Sequence, residues 1–172
     1  VNFNKNIFYV DPRNEKLGAK IILKIKNVKT ILKDLNLKKI NKEKYYIKSH
    51  ALGIPQINLN KLKNKIFGIE NNLDKLDGID FKKGCYIGQE NTSRIKLRNK
   101  LRKRILPLKV ISGKVLENDI IKYKDNEIGK IMIDMPYPFA LIKIVDPDMN
   151  EFIDTELLCG SSKIKIFKPE WM

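Results

Sequence analysis

The segment KGCYIGQE at residues 83–90 carries the side chains of this chain that are best suited to chemistry. Two glycines bracket a cysteine and a tyrosine, and an amide and a carboxylate follow at once, which is typical of neither a strand nor a helix interior. Glycine at such positions indicates tight backbone geometry or the close approach of another molecule. We therefore expect the segment to present Cys85 and its polar neighbours, not to bury them.

Cys85 can react as a nucleophile only through its thiolate form. Lys82 and Lys83 precede it, and a short helix is expected to begin near Gly88; both features would lower the pKa of the thiol. The alternative is a cysteine that packs in the interior. The second cysteine, Cys159, lies in the apolar sequence LLCG and is expected to be a small buried residue.

The motif resembles the KGC(Y/F)xGQE signature of the YgfZ-type folate-binding proteins, which are relatives of the glycine-cleavage T-protein, an aminomethyltransferase. Other similarities occur in the order found in that family. They are DPR followed by LG within residues 11–18, GIP at residues 53–55, Glu70, and Arg94 four residues after Glu90.

This resemblance implies a protein that binds tetrahydrofolate or a related folate and assists the assembly or repair of iron–sulfur enzymes. Its partners would be iron–sulfur client or assembly proteins, in the bacterial cytoplasm or, in a eukaryote, the mitochondrial matrix. Cys85 would be the essential thiol. The folate would be bordered by Glu70, Lys83, Gly84, Tyr86, Gly88, Gln89, Glu90 and Arg94, with the GIP turn beside the cleft.

The residue types in this set suit a pterin, although each has an ordinary structural alternative. Tyr86 offers a flat face for stacking, and Gln89 offers both a donor and an acceptor. A carboxylate from Glu70 or Glu90 complements an edge rich in N–H groups, but either could simply pair with a basic residue. Arg94 could bind a carboxylate or phosphate through two hydrogen bonds, or form a salt bridge with Glu90 one helical turn earlier.

A true aminomethyltransferase is the first alternative function, and whether the protein is an enzyme stays open. T-protein relatives resemble KGDFIG where this chain has KGCYIG, and a cysteine in place of that acid argues against the transfer chemistry. The second alternative is a basic RNA-binding module built on residues 94–104. The net charge is +15, and 30 of the 35 basic residues are lysine. This indicates either a solvated lysine coat or a polyanionic partner such as tRNA or a polyglutamate tail.

Other kinds of site have little support in the sequence. The two cysteines are far apart with no CxxC pair, so we expect no metal site. His50, the only histidine, is not near a nucleophile motif and is expected to be structural. No apolar run approaches the roughly 20 residues of a membrane helix, and we expect no membrane partner.

Hydrophobic periodicity predicts an α+β protein whose strands are concentrated in the second half. A strand is expected within 18–25, helices over 27–37 and 41–52, an irregular connector over 58–72, and a short helix from about 88 to 96. Beyond residue 101 the pattern predicts a hairpin turn at Asp125-Asn126 and five short strands. These are Arg104–Ile111, Ile120–Lys124, Glu127–Ile133, Phe139–Val145 and Lys163–Lys168.

Five short strands in this space indicate a small antiparallel barrel or sandwich, and the family resemblance independently implies a barrel. The expected fold is the C-terminal part of a T-protein-like folate-binding fold that ends in a small antiparallel β-barrel. Residues 1–100 would form part of a folate cradle, and residues 101–172 the barrel. Because the chain opens on valine, we expect it to be the C-terminal portion of a longer protein.

Overall fold

The computed structural model describes residues 2–3, 6–84, 89–98 and 101–172. Its α-helices are α1 (Val28–Asp34), α2 (Lys42–Ala51) and α3 (Gln89–Leu97). Its strands are β1 (Asn2–Phe3), β2 (Asn6–Val10), β3 (Ala19–Ile22), β4 (Lys103–Ser112), β5 (Ile120–Tyr123), β6 (Asn126–Ile133), β7 (Phe139–Lys143), β8 (Glu156–Cys159) and β9 (Ser162–Ile166). Short 3-10 turns occur at Glu15–Leu17, Ile25–Asn27, Leu59–Leu62 and Met149–Glu151.

A three-stranded antiparallel sheet, in the order β1-β2-β3, opens the chain. The strand predicted within 18–25 is confirmed as β3, whereas β2 was not predicted. The turn between them closes where the Asp11 N–H donates to the carbonyl of Gly18 at 2.9 Å. Gly18 has a φ of 83°, a conformation that suits glycine. The DPR and LG sequences therefore form the two sides of one β2–β3 connection.

The predicted helices are present, with small changes in their limits. Asn41 caps α2, because its side-chain oxygen accepts from the N–H of Glu43 at 3.0 Å. Asn27 occupies the corresponding position before α1 without a side-chain cap bond. The chain leaves α1 before the predicted end at residue 37, and Asn36 has a φ of 50°. Helix α3 confirms the short helix after the motif.

The connector at residues 58–72 consists of successive turns that pack against strands in the second half of the chain. Apart from the 3-10 turn at Leu59–Leu62 it has no regular element, as predicted. Leu62, Ile69 and Leu76 are buried along it or just beyond it. Leu62 packs with Ile105 and Phe139 of the strands, so the connector is part of the packed structure.

The second half of the chain is a closed antiparallel β-barrel in the order β4-β7-β6-β5-β8-β9, with β9 returning to β4. Its interior is filled by apolar side chains such as Leu106, Ile128, Phe152 and Ile164. The predicted barrel is therefore confirmed, with six strands instead of five. The missing strand was β8, a four-residue segment in which buried and exposed residues alternate.

The predicted hairpin turn between β5 and β6 was displaced by one residue. Tyr123 pairs with Asn126, so the two turn residues are Lys124 and Asp125. Both have positive φ values, 48° and 64°, as in a tight two-residue hairpin turn. Among the described residues, no helix has the length and apolar character needed to cross a membrane.

Candidate functional site

The chain enters the motif through a turn organised by Asp80. The Asp80 carboxylate accepts from the backbone N–H groups of Lys82 at 2.8 Å and Lys83 at 3.2 Å. Gly84 follows in an exposed position, and a Cβ atom added there would meet no atom of the described residues within 4 Å. Its φ is not in the positive region either. Neither backbone conformation nor crowding within the described structure requires glycine at this position, which leaves the approach of another molecule as a reason for it.

The chain leaves the motif through α3, whose first residues are the last two of KGCYIGQE. Gln89 is half-buried, and Glu90 is exposed. The Arg94 guanidinium donates to the Glu90 carboxylate at 2.8 Å, and the side chains are 56% and 85% exposed, respectively. The salt bridge with Glu90, which was the structural alternative for Arg94, is therefore formed. A pair this exposed is weak, so a bound anion could displace Glu90 from Arg94 at small cost.

A contact between Phe81 and Lys96 joins the two sides of the motif. The Lys96 ammonium lies over the Phe81 ring at 3.4 Å from its centroid. A cation–π contact of this kind stabilises an exposed arrangement by about 0.5–1 kcal/mol. The segment before the motif and the last turn of α3 are therefore held against each other.

The central residues of the motif, Cys85, Tyr86 and Gly88, lie outside the described residues. Their assigned roles, with Cys85 as the essential thiol and Tyr86 as a stacking surface, stay predictions. The same holds for the roles assigned to Lys83, Gly84 and Gln89.

Glu70 lies on a different segment from the motif and is half-buried in the connector. Its carboxylate accepts from the backbone N–H of Phe67 at 2.9 Å. Its backbone carbonyl accepts from the N–H of Ile105 in β4 at 2.9 Å. Glu70 is thus held through both its side chain and its backbone. Its second carboxylate oxygen has no hydrogen bond within the described structure.

Arg104 fastens the connector to the barrel and was not identified from the sequence as a structural residue. It is buried, and it donates to both carboxylate oxygens of Asp74 at 2.8 Å. It also donates to the Asn72 side chain at 3.1 Å and the Ile69 carbonyl at 3.2 Å. The signal in the sequence was that Arg104 directly precedes the apolar run ILPL. An arginine beside buried residues is expected to have a carboxylate partner, because a buried charge needs one. This arginine is not available to a nucleic-acid surface over 94–104.

The DPR sequence forms a second charged cluster, centred on the buried Asp11. The Asp11 side chain has no exposed surface, and it pairs with Arg13 at 2.7 Å and Lys20 at 2.9 Å. The hydrogen bond from Arg13 holds the pKa of Asp11 well below its ordinary value, against the opposing effect of burial. Arg13 also donates to the hydroxyl of Tyr45 in α2 at 3.3 Å. When its amide oxygen faces Arg13, the Gln56 side chain accepts two hydrogen bonds from the Arg13 guanidinium, at 2.6 Å and 3.0 Å. This cluster joins the sheet, α2 and the residue after GIP.

The GIP turn ends α2 and packs against the C-terminal residues. Gly53 has a φ of 71°, and a Cβ atom there would collide with Pro169 and come within 3.2 Å of Trp171. The Trp171 indole N–H donates to the Leu52 carbonyl at 2.7 Å. Both backbone conformation and close packing therefore require glycine at position 53. In the described structure this turn has a packing role; its place beside a folate cleft stays a prediction.

The two remaining candidates for reactivity are structural. Cys159 is 1% exposed in β8, as predicted, and burial, with a smaller effect of Asp119, raises the pKa of its thiol to about 11. The His50 ring N–H donates to the Pro138 carbonyl at 2.9 Å, and the ring packs edge-on against Phe139. Burial lowers the pKa of His50 below its ordinary value. Within the described ranges, no group of three or more His, Cys, Asp or Glu side chains could hold a metal ion.

Comparison with known proteins identifies a consistent set of relatives. No protein-family model matches the chain. A Neurospora crassa protein named "iron-sulfur cluster assembly factor IBA57 homolog, mitochondrial" is 31% identical over 155 residues. Proteins of the same name from Dictyostelium discoideum and Yarrowia lipolytica are 36% identical over 112 residues and 34% identical over 101 residues. The chain is similar to mitochondrial iron–sulfur cluster assembly factors.

The extent of these matches differs between the chain and its relatives. The Neurospora match covers 90% of this chain and 32% of the relative. The other two cover 63% and 59% of this chain, and 27% and 21% of the relatives. The chain thus spans about a third or less of the length of the curated relatives it matches. Because the Neurospora match covers nearly the whole chain, it includes the central region with the motif.

Proposed function

We propose that this chain is part of an iron–sulfur cluster assembly factor of the YgfZ type, with a T-protein-like fold, and that it acts in mitochondria. The similarity to the Neurospora factor over 90% of the chain carries this proposal. The KGCYIGQE motif supports it independently, because the resemblance to the YgfZ-type signature rests on eight consecutive residues. The essential group is the thiol of Cys85.

The described residues around the motif support a role as a binding site. Gly84 is exposed and has no described atom within 4 Å of the place of a Cβ, and Arg94 and Glu90 are exposed on the first two turns of α3. These groups can contact a ligand without unfolding any element. Their types match a folate, since the guanidinium can bind a carboxylate and the glutamates can accept from the pterin N–H groups. The bound cofactor in this proposal is tetrahydrofolate or a related folate.

Replacement of each cysteine in the gene for this protein tests the role of the thiol. Cys85→Ala should lower the activity of cluster-dependent enzymes in cell extracts, measured relative to an enzyme without a cluster. Cys159→Ala is the matched control, because it removes a thiol buried in the barrel. Full activity in Cys85→Ala cells with normal protein levels would overturn the proposal.

Calorimetric titration with tetrahydrofolate tests the cofactor. Glu70→Gln keeps an oxygen that can accept from the Phe67 N–H but removes the charge, so it should weaken folate binding without unfolding the connector. Glu127→Gln is the control, because Glu127 is exposed on β6. Equal affinities for the two variants would remove Glu70 from the site. If the unaltered protein gives no heat of binding, folate is not its ligand. The role in cluster assembly would then still be tested by the cysteine variants.

A further inference from the structure

A groove of about 540 Å³ lies between β4 and the β6–β7 connection. One wall is the second half of β4 and the turn that follows it, at residues 108–115. The other wall is the β6–β7 connection, at residues 134–138, and His50 and Phe167 complete the lining. None of the described motif residues lines it. The volume lies within the range of small-molecule sites, roughly 300–1,000 Å³.

Hydrogen bonds fix both walls of the groove. On one side, the Ser162 hydroxyl donates to the Lys114 carbonyl at 2.8 Å. On the other side, the Asn58 amide donates to the Met135 carbonyl at 2.7 Å. The Pro138 carbonyl accepts from the Leu108 N–H at 3.1 Å. The groove is therefore formed before any ligand arrives, which reduces the entropic cost of binding.

The lining is mostly apolar and partly open to solvent. Val110, Val115, Met135, Pro136 and Phe167 form its apolar surface. Met135 is 54% exposed although it lies beside these other apolar side chains. A ligand that covered this surface would gain roughly 25 cal/mol for each Å² of apolar area removed from water.

The charges in the lining are not balanced. Lys109 and Lys114 both contribute to the groove, and neither ammonium group takes part in a salt bridge within the described structure. Asp134 is the single carboxylate of the lining, and Lys61 already neutralises it at 2.5 Å. Lys61 itself lies outside the lining. The groove therefore offers two positive charges to an incoming anionic group.

We propose that this groove binds an amphipathic anion, with an apolar body between the two walls and a carboxylate or phosphate head at Lys109 and Lys114. The apolar lining selects the body, and the two uncompensated ammonium groups select the head. The inference is independent of the proposed function, because the described motif residues do not contribute to the groove.

Nuclear magnetic resonance titrations of the 172-residue chain test the proposal. Decanoate and decyl phosphate serve as probes below their micelle-forming concentrations, with decanol as the uncharged counterpart. Both anions should give saturable shifts at the backbone amides of residues 109–115 and 134–137, and decanol should bind about tenfold more weakly. The tighter of the two anions identifies the head group. Absence of saturable shifts with either anion, or equal affinity for decanol, would overturn the proposal.

Two sets of variants assign the interactions. Lys109→Gln with Lys114→Gln should weaken binding of the anions about tenfold and leave decanol unchanged. Lys103→Gln with Lys122→Gln is the matched control, since both are exposed barrel lysines outside the groove. Met135→Glu, an exposed substitution that leaves the core intact, should weaken binding of both the anions and decanol, because it places a charge in the apolar lining that takes the body. Unchanged affinity in both the Lys109/Lys114 variant and the Met135 variant would refute the assignment.

Discussion

The ammonium group of Lys96 lies 3.4 Å from the centroid of the Phe81 ring. Phe81 precedes Cys85 by four residues, and Lys96 belongs to the last turn of α3, so this contact joins the two sides of the motif. Lys124 lies over Tyr123 at 4.9 Å in the β5–β6 hairpin, which gives a similar contact far along the chain from the motif.

Lys96→Gln should therefore affect both stability and ligand binding. We expect a loss of about 0.5–1 kcal/mol in the free energy of unfolding, because the cation–π contact is removed. Tetrahydrofolate affinity should fall as well, because the sides of the motif are no longer joined. Urea unfolding and calorimetric titration measure the two effects. Lys124→Gln should change stability by no more than this amount and leave folate affinity unchanged; a parallel loss of affinity in both variants would contradict the prediction.

The two cysteines should differ strongly in reactivity. With a pKa of about 11, only about one Cys159 thiol in a thousand is a thiolate at pH 8, and the side chain is buried. We expect iodoacetamide to modify Cys85 at least about a hundredfold faster in the folded protein, as followed by mass spectrometry of the peptides. In urea the two rates should converge. Faster labelling of Cys159 in the native protein would show that Cys85 is not presented to solvent.

Alanine substitutions at Gly53 and Gly84 should differ strongly in their effect on stability. Gly53→Ala should destabilise the protein by about 2 kcal/mol or more, because the left-handed backbone is strained and the new Cβ meets Pro169 and Trp171. Gly84→Ala should change stability by less than about 0.5 kcal/mol, since no atom of the described residues lies within 4 Å of the new Cβ. Thermal unfolding measures both.

The Gly84→Ala variant then isolates the role of the motif. If a ligand approaches the backbone at Gly84, folate affinity or cluster-enzyme activity should fall in a protein of unaltered stability. Wild-type affinity and activity in this variant would show that Gly84 is not a contact.

The buried Arg104–Asp74 pair and the exposed Arg94–Glu90 pair should differ in their contributions to stability. Asp74→Asn leaves Arg104 buried without its counter-charge and should cost about 3–5 kcal/mol. Arg94→Gln removes an exposed pair and should cost less than about 0.5 kcal/mol. Urea unfolding at neutral pH compares them. A cost below 1 kcal/mol for Asp74→Asn would mean that Arg104 is not held as described.

Acid should destabilise the protein partly through Asp11. Its pKa in the folded state is well below the ordinary value of 3.8, because Arg13 and Lys20 bind the carboxylate. The resulting stabilisation is complete above the unfolded-state pKa and is lost as the pH falls below about 4 toward the folded-state pKa. Asp11→Asn should lose about 2 kcal/mol at pH 7 and show a flatter decline below pH 4 in urea unfolding.

His50 affects the stability of the protein in a different pH range. Burial lowers its pKa below 6.5, so the folded state favours the neutral ring, and stability falls as the pH drops through and below that value. His50→Gln should flatten the decline that begins as the pH falls below about 6.5 and leave the decline below pH 4 in place. The same flattening in Asp11→Asn would show that the two windows have been assigned to the wrong residues.

The sequence by itself determined most of the regular elements, because these depend on local patterns. Alternating apolar residues and turn signals predicted five barrel strands, and Asn41 marked the start of α2. The same reasoning missed β8, since four residues with exposed Leu158 among buried neighbours are too short a pattern to distinguish from a loop. The strand is held by pairing with β5 and β9, partners that lie elsewhere in the chain.

Only the tertiary structure decided the roles of individual charged and polar residues. Arg104 belongs to a basic stretch in the sequence, but Asp74 and Asn72 enclose it once the connector packs on β4. Lys109 and Lys114 are two of thirty lysines in the sequence, and folding places them together in an apolar groove. Composition determines how many charges a chain carries. Which of them are buried, paired or left for a ligand depends on contacts between distant segments, and a local pattern does not contain that information.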